Sequence, residues 1–327
     1  FSAAPLSGLK LRGMSLGAIG SVSYTGTITP FDAATGYRVG GGGTLTLANT
    51  NALTGAQNVT ATNGGTVVLA SPNDYTGTTT AQLGTKLVLG TSLTSSSAVS
   101  VSDTASIEIA TTGTGTSVLK TGALSVAPTA KLNLTNNKVI TSSPVGTFTA
   151  GAYTDVSGMV DSGRGSASNA QWDGNGIVTT DTRAVNNNDL TSIGVIDASD
   201  KFPGGDTATS LFIGQTVLGS DTLVMFTWGG DAHVDGKINI DDYGQIDFNV
   251  GSSGSVFGWY NGDFNYDGKI NIDDYGIIDF NVTAQSGIFP TGAGGGLEGV
   301  AAVPEPGTLG LFGVAAASLL ARRRRRQ

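Results

Sequence analysis

The chain contains no cysteine and a single histidine among its 327 residues. The first absence excludes a disulfide framework and any Cys-ligated zinc or iron–sulfur centre. With His233 as the sole imidazole and no thiol nucleophile, neither a Ser-His-Asp hydrolase nor a histidine-metal hydrolase is assembled. Aromatic residues are scarce at 7% and charged ones at 13%, too few large side chains for one compact core of this length. The 50 glycines weigh against a helical protein, because each Gly in a helix interior costs about 1 kcal/mol relative to Ala. Hydrophobic residues nevertheless reach 39%, mostly Ala, Val, Leu and Ile, so the sequence predicts something regular built from small side chains rather than a disordered chain.

What is present is periodic. Alternating apolar pairs recur as Leu45/Leu47, Val67/Leu69, Leu87/Leu89, Ile107/Ile109 and Leu132/Leu134, at offsets of 22, 20, 20 and 25 residues. Each pair has the two-residue spacing of a strand with one buried face. Weaker strands around Val59, Thr79, Val99/Val101 and Leu124/Val126 follow much the same offsets, giving two or more strands per coil. With turn-formers such as Gly64, Gly65, Asn73, Asp74, Gly84 and Gly113 at the corners, this predicts a mainly β protein whose residues 1–150 form a right-handed parallel β-helix, or β-solenoid. The rival, a β-sandwich, spaces its strands irregularly at about 8–12 residues with no longer period. Over residues 40–90, Gly42 to Leu47, Asn73 to Thr80 and Gly84 to Gly90 resemble the autotransporter-associated β-strand repeat, which implies a passive extended scaffold.

Residues 151–229 read as a small β-rich connector module, with a turn from Gln171 to Ile177 and a mostly apolar strand from Asp221 to Trp228. Trp172 and Trp228 are candidates for stacking on a surface glycan, although tryptophans in such positions more often fill a core.

Charge is concentrated in one place. Residues 231–282 hold ten of the 25 acids but only two of the 17 Lys and Arg, so this stretch alone carries the chain's formal net charge of −8. That argues against a nucleic-acid role and for cation binding. The stretch is a duplication with a shift of 32 residues. Its first copy places Asp231, His233, Asp235, Asn239 and Asp242 at positions 1, 3, 5, 9 and 12 of a loop with Gly236 at position 6; the second places Asp263, Asn265, Asp267, Asn271 and Asp274 likewise around Gly268. Such spacing converges oxygen ligands on a hard cation, the backbone carbonyls of Lys237 and Lys269 completing the shell at position 7. Two calcium ions are expected, with loop 263–274 tighter than loop 231–242 because an imidazole at His233 suits an oxygen-seeking ion poorly.

A helical stretch is expected after each loop, with Tyr243, Ile246 and Val250, then Tyr275, Ile278 and Val282, along one face, while no helix precedes loop one. Both copies resemble the dockerin type I repeat over residues 230–283, which implies a small α module of two antiparallel helices held by calcium and a cohesin-like domain as partner. At positions 10 and 11 both copies carry Ile-Asp (Ile240-Asp241 and Ile272-Asp273), where cellulosomal dockerins often use small hydroxyl residues.

Residues 284–303 read as a Gly/Ala linker. Residues 304–327 then carry Pro304, Glu305 and Pro306, an apolar run from Leu309 to Ala321 expected as a hydrophobic helix, and Arg322 to Arg326. Thirteen helical residues rise about 20 Å against a hydrocarbon core of about 30 Å, a marginal anchor whose arginines stay on the cytoplasmic side. This order resembles the PEP-CTERM sorting signal of Gram-negative bacteria. The resemblance implies an exosortase-type peptidase as partner in transit, membrane contact through 309–321 before cleavage, and export to the cell surface, outer membrane or medium after a transient stay in the inner membrane. Because the sequence opens at Phe1 without a basic-then-apolar leader, it reads as a fragment or processed form.

Together these features predict a non-catalytic exported surface or adhesion-type scaffold. The alternative is a dockerin-bearing component of a polysaccharide-degrading assembly. A two-carboxylate glycosidase is not excluded by composition, but the acids outside the loops are almost all Asp in turn-rich stretches.

Overall fold

The computed structural model describes residues 14–30, 32, 34–111, 113, 115–165, 172–185 and 190–291. The sorting-signal residues Pro304, Glu305 and Pro306, the expected helix at 309–321 and the linker beyond Thr291 lie outside the described residues.

The body is mainly β, a solenoid of about six turns. Its strands are β1 (Leu16–Tyr24), β2 (Tyr37–Leu47), β3 (Val59–Ala61), β4 (Thr66–Leu69), β5 (Thr79–Ala81), β6 (Lys86–Leu89), β7 (Leu93–Val101), β8 (Ser106–Ile109), β9 (Val118–Val126), β10 (Lys131–Asn133) and β11 (Lys138–Thr141). The long β2 turns a corner and feeds two parallel ladders, β2-β4-β6-β8-β10 and β2-β3-β5-β7-β9-β11. In the first, Leu45, Val67, Leu87, Ile107 and Leu132 are in register. In the second, Tyr37, Val59, Thr79, Val99 and Leu124 are in register. All ten residues of the five apolar pairs are at most 3% exposed. Full burial of a Leu or Val side chain stabilises by about 2 kcal/mol, so the repeating pair is what holds one coil on the next.

The corners are stitched by polar side chains that accept a backbone N–H one coil away. Asn58 Oδ1 accepts from Thr78 (2.9 Å), Asn73 Oδ1 from Leu53 (2.9 Å) and Asp103 Oδ2 from Leu83 (3.1 Å). Stacked coils also bring backbones close: Gly65, at φ +70°, would place a Cβ 2.4 Å from the Gly43 carbonyl, so glycine is required there.

After β11 come the hairpin β12 (Phe148–Thr149) and β13 (Ala152–Tyr153), helix α1 (Asp155–Arg164), β14 (Gly176–Val178), β15 (Thr191–Asp197), the short helix α2 (Ala198–Lys201), the hairpin β16 (Thr209–Phe212) and β17 (Gln215–Leu218), and β18 (Thr222–Trp228). Three of these strands belong to the solenoid's own sheet. β14 adds a parallel rung beyond β10, with Ile177 beside Leu132, and α1 packs against it. On the other ladder β18 pairs antiparallel with β11, and β15 antiparallel with β18. The switch from parallel to antiparallel pairing ends the coil repeat. Trp172 and Trp228 are 3% and 2% exposed, so both are core residues rather than a stacking platform.

Two helices follow, α3 (Ile240–Asn249) and α4 (Ile272–Ala284). Ile246 and Ile278 are buried on their inner faces. Val250, expected on the same face, is exposed, because α3 stops at Asn249 and a 3-10 turn (Val250–Ser252) redirects the chain. Residues 285–291, expected as the head of a linker, are packed instead: Phe289 lies against Phe226 and Trp228 at centroid distances of 5.3 and 5.0 Å, and Trp228 Nε1 donates to the Gly287 carbonyl.

Candidate functional site

The two acidic loops and their helices form an internally symmetric unit in which each helix serves the other copy's loop. Gly262, ahead of loop two, lies against Ile246 of α3, and Gly230, ahead of loop one, lies against Ile278 of α4. Tyr243 O–H donates to Asp279 (2.7 Å) and Tyr275 O–H to Asp247 (2.6 Å). The backbone N–H of Ile238 donates to Gln285 beyond α4, and that of Ile270 to Ser253 beyond α3. Every one of these pairs maps onto its counterpart by the 32-residue shift, as in an isologous two-fold contact.

Within each loop the ends are drawn together through the first and last aspartates, all four of which are 0% exposed. Asp231 accepts the N–H groups of Asp235 (3.0 Å) and Gly236 (2.8 Å), and Asp263 those of Asp267 (3.1 Å) and Gly268 (2.9 Å). The position-12 carboxylates reach back across the loop, Asp242 to the N–H of His233 (3.2 Å) and Asp274 to that of Phe264 (2.8 Å). Position 9 does the work of an N-cap: Asn239 and Asn271 each accept an N–H at 2.7 Å, from Asp241 and Asp273, and Asp242 and Asp274 close the capping box. Gly268, at φ +76°, makes the turn at position 6, where a Cβ would meet the Phe148 ring at 2.2 Å.

The copies differ at position 3. Asn265 Oδ1 accepts the N–H of Asp267 at 2.9 Å, an oxygen facing into the loop. His233 instead sets Nδ1 3.0 Å from Asp242 Oδ1 and Nε2 3.2 Å from the Gln245 amide.

Burying like charges together is costly, and the carboxyl groups register it. Burial, with repulsion from Asp242, pushes Asp231 up to about 8. Burial pushes Asp263 up to about 7, opposed by a hydrogen bond from Tyr153, and Asp274 up to about 6. The hydrogen bond to Asp242 raises His233. A divalent cation is the kind of group that relieves such repulsion, and the donors present, carboxylates, an amide and main-chain carbonyls, have the hardness that calcium prefers. Among the described residues, no group of three or more Asp, Glu, His or Cys side chains is gathered into a metal-holding arrangement; the carboxylates are taken up by backbone N–H groups and hydroxyls.

Two residues outside the repeats complete the site and were not marked by any spacing. Tyr153 of β13 donates its hydroxyl to Asp263 Oδ2, and Thr227 of β18 donates to Asp231 Oδ2. Both hydroxyls come from the solenoid end, which also anchors loop two: Tyr266 O–H donates to the Ile193 carbonyl of β15 at 2.7 Å, and Trp259 stacks on Tyr266.

Among the described residues no helix is long and apolar enough to cross a membrane. No curated protein and no solved structure matches the chain. Residues 302–326 match the family described as the PEP-CTERM protein-sorting motif. That motif is recognised by exosortase and indicates an exported protein sorted to the cell surface, here one built on a β-solenoid.

Proposed function

We propose that the chain is a non-catalytic surface scaffold whose solenoid is finished by a dockerin-like tandem-loop module stabilised by calcium, and that its PEP-CTERM tail is cleaved after a transient stay in the inner membrane. The observation that carries the calcium reading is the duplication of four fully buried aspartates, each pair closing a loop whose other donors are oxygen except His233 in the first. In loop 263–274 the ion takes Asp263, Asn265, Asp267, the carbonyl of Lys269, Asn271 and Asp274; loop 231–242, with His233 at position 3, has the poorer donor set. Because the acids repel one another, binding contributes directly to folding. Thermal unfolding of the full chain tests this: calcium raises Tm over a chelated sample, and identical melts in calcium and chelator contradict it. Turnover by the chain on a panel of polysaccharides contradicts the non-catalytic part.

A second reading, docking into a polysaccharide-degrading assembly, is favoured by one observation. Ile240 and Phe248 on α3 are 79% and 83% exposed, and their counterparts Ile272 and Phe280 on α4 are 78% and 64% exposed. Gly244 and Gly276 lie between them and leave the surface open. A cohesin-like partner would bind that doubled stripe, and a pull-down with and without chelator separates the readings: capture of such a domain only in calcium favours docking.

A further inference from the structure

The loops are copies in sequence but not in neighbours. Lys201, the last residue of α2, reaches loop one and donates from Nζ to the carbonyls of His233 (3.0 Å) and Val234 (3.3 Å), at positions 3 and 4. Burial there lowers the pKa of its ammonium, and the charges of Asp231, Asp235 and Asp242 oppose that shift. Asp242 is held by the imidazole of His233, which is fixed in turn by Gln245 and by an edge-to-face contact with Tyr260 at 5.4 Å. Asp235 has Lys237 Nζ at 3.6 Å.

Loop two has none of this. Its position 3 is Asn265, and the counterpart of Gln245 is Ile277, which cannot hold an imidazole. Among the described residues no ion pair reaches Asp263, Asp267 or Asp274. The exchange of Asn for His at position 3 and of Ile for Gln twelve residues later is therefore paired within one copy, and Lys201 comes from outside the duplication to the same copy.

We infer that loop 231–242 is closed to calcium by the protein itself, with His233 taking the Asp242 oxygen and the Lys201 ammonium standing against the loop, so that the module binds one ion rather than two. The inference rests on the proposed calcium reading of loop 263–274. Its logic is electrostatic and steric: an ammonium held at the carbonyls of positions 3 and 4 opposes entry of a second cation, and the imidazole occupies the position-12 oxygen that a metal would need.

Calorimetric titration of the full chain with calcium chloride gives the stoichiometry. One ion per chain is expected for the wild type and two for the double variant His233→Asn, Lys201→Met. Two ions in the wild type overturn the inference and leave the calcium reading standing, and a double variant that still binds one also overturns it. No binding at all overturns the calcium reading of loop two, and melts in chelator then decide the inference alone. There Lys201→Met lowers Tm by about 3 °C or more, whereas Lys86→Met, at a surface position of the solenoid, leaves it in place. A Lys201→Met melt that matches the wild type overturns the inference.

Discussion

In the solenoid, the residue that repeats from coil to coil is buried because it is apolar; in the tandem-loop module, the residue that repeats from copy to copy is buried although it is an aspartate. Leu87 and Ile107 stack in register at 0% exposure, and like beside like is favourable there. Asp231 and Asp263 are also 0% exposed, yet each has an acid at the far end of its loop, Asp242 or Asp274, so like beside like is costly. A repeated apolar position therefore stabilises on its own terms, whereas a repeated buried acid needs opposite charge from elsewhere. The two regions should respond to different perturbations.

The largest effect belongs to the solenoid. Leu87→Ala is expected to cost about 3 kcal/mol in urea unfolding, by lost burial and a residual cavity, and by the same amount with or without calcium. A calcium-dependent cost would blur the contrast between the regions. Next comes the ion: at a calcium concentration about 100 times the dissociation constant, binding contributes about 2.7 kcal/mol. Asp263→Asn should abolish that increment, and a variant that keeps it would move the site away from loop two.

The pH response has a definite sign. In the unfolded chain an Asp titrates near 4. Folding raises Asp231, Asp263 and Asp274 to about 8, 7 and 6, so the folded state binds more protons than the unfolded state between these values. Their contribution is fully present below about pH 4 and is lost as pH rises through 6 to 8. Chelated protein should therefore lose stability from pH 5 to pH 8, and calcium, which favours the ionised carboxylates of loop two, should flatten that slope. Melts across this range check it; a chelated protein that gains stability with pH contradicts the buried-acid picture.

The smallest change is Tyr153→Phe, which removes one hydroxyl donor from Asp263. It should cost about 1.5 kcal/mol in chelator, the range for a hydrogen bond to a charged group, and less in calcium.

The ladders were legible because apolar pairs such as Leu45/Leu47 and Leu87/Leu89 carry both a strand period and a coil period. β14 was not: its Gly-Ile-Val is three residues long, and Ile177 follows Leu132 by 45 residues instead of about 20. The strand ending in Trp228 was visible as an apolar run, but nothing in its own pattern says that it pairs antiparallel with β11. At the site, the 32-residue shift marked the acids and amides of both loops. Tyr153 and Lys201 were invisible, since Tyr153 meets Asp263 across 110 residues and Lys201 meets His233 across 32, each from an element without a repeat. Spacing reveals residues that act by recurrence, and these two act by proximity that only the fold creates.

Hydrogen exchange of the full chain in calcium and in chelator tests the division most directly. Calcium should slow exchange at amides of residues 263–274 and of α4, while amides in the coils between Tyr37 and Thr141 exchange alike in both. Equal exchange at loop two with and without calcium, or a change spread evenly over coils and loops, would contradict a calcium-held module on a self-sufficient solenoid.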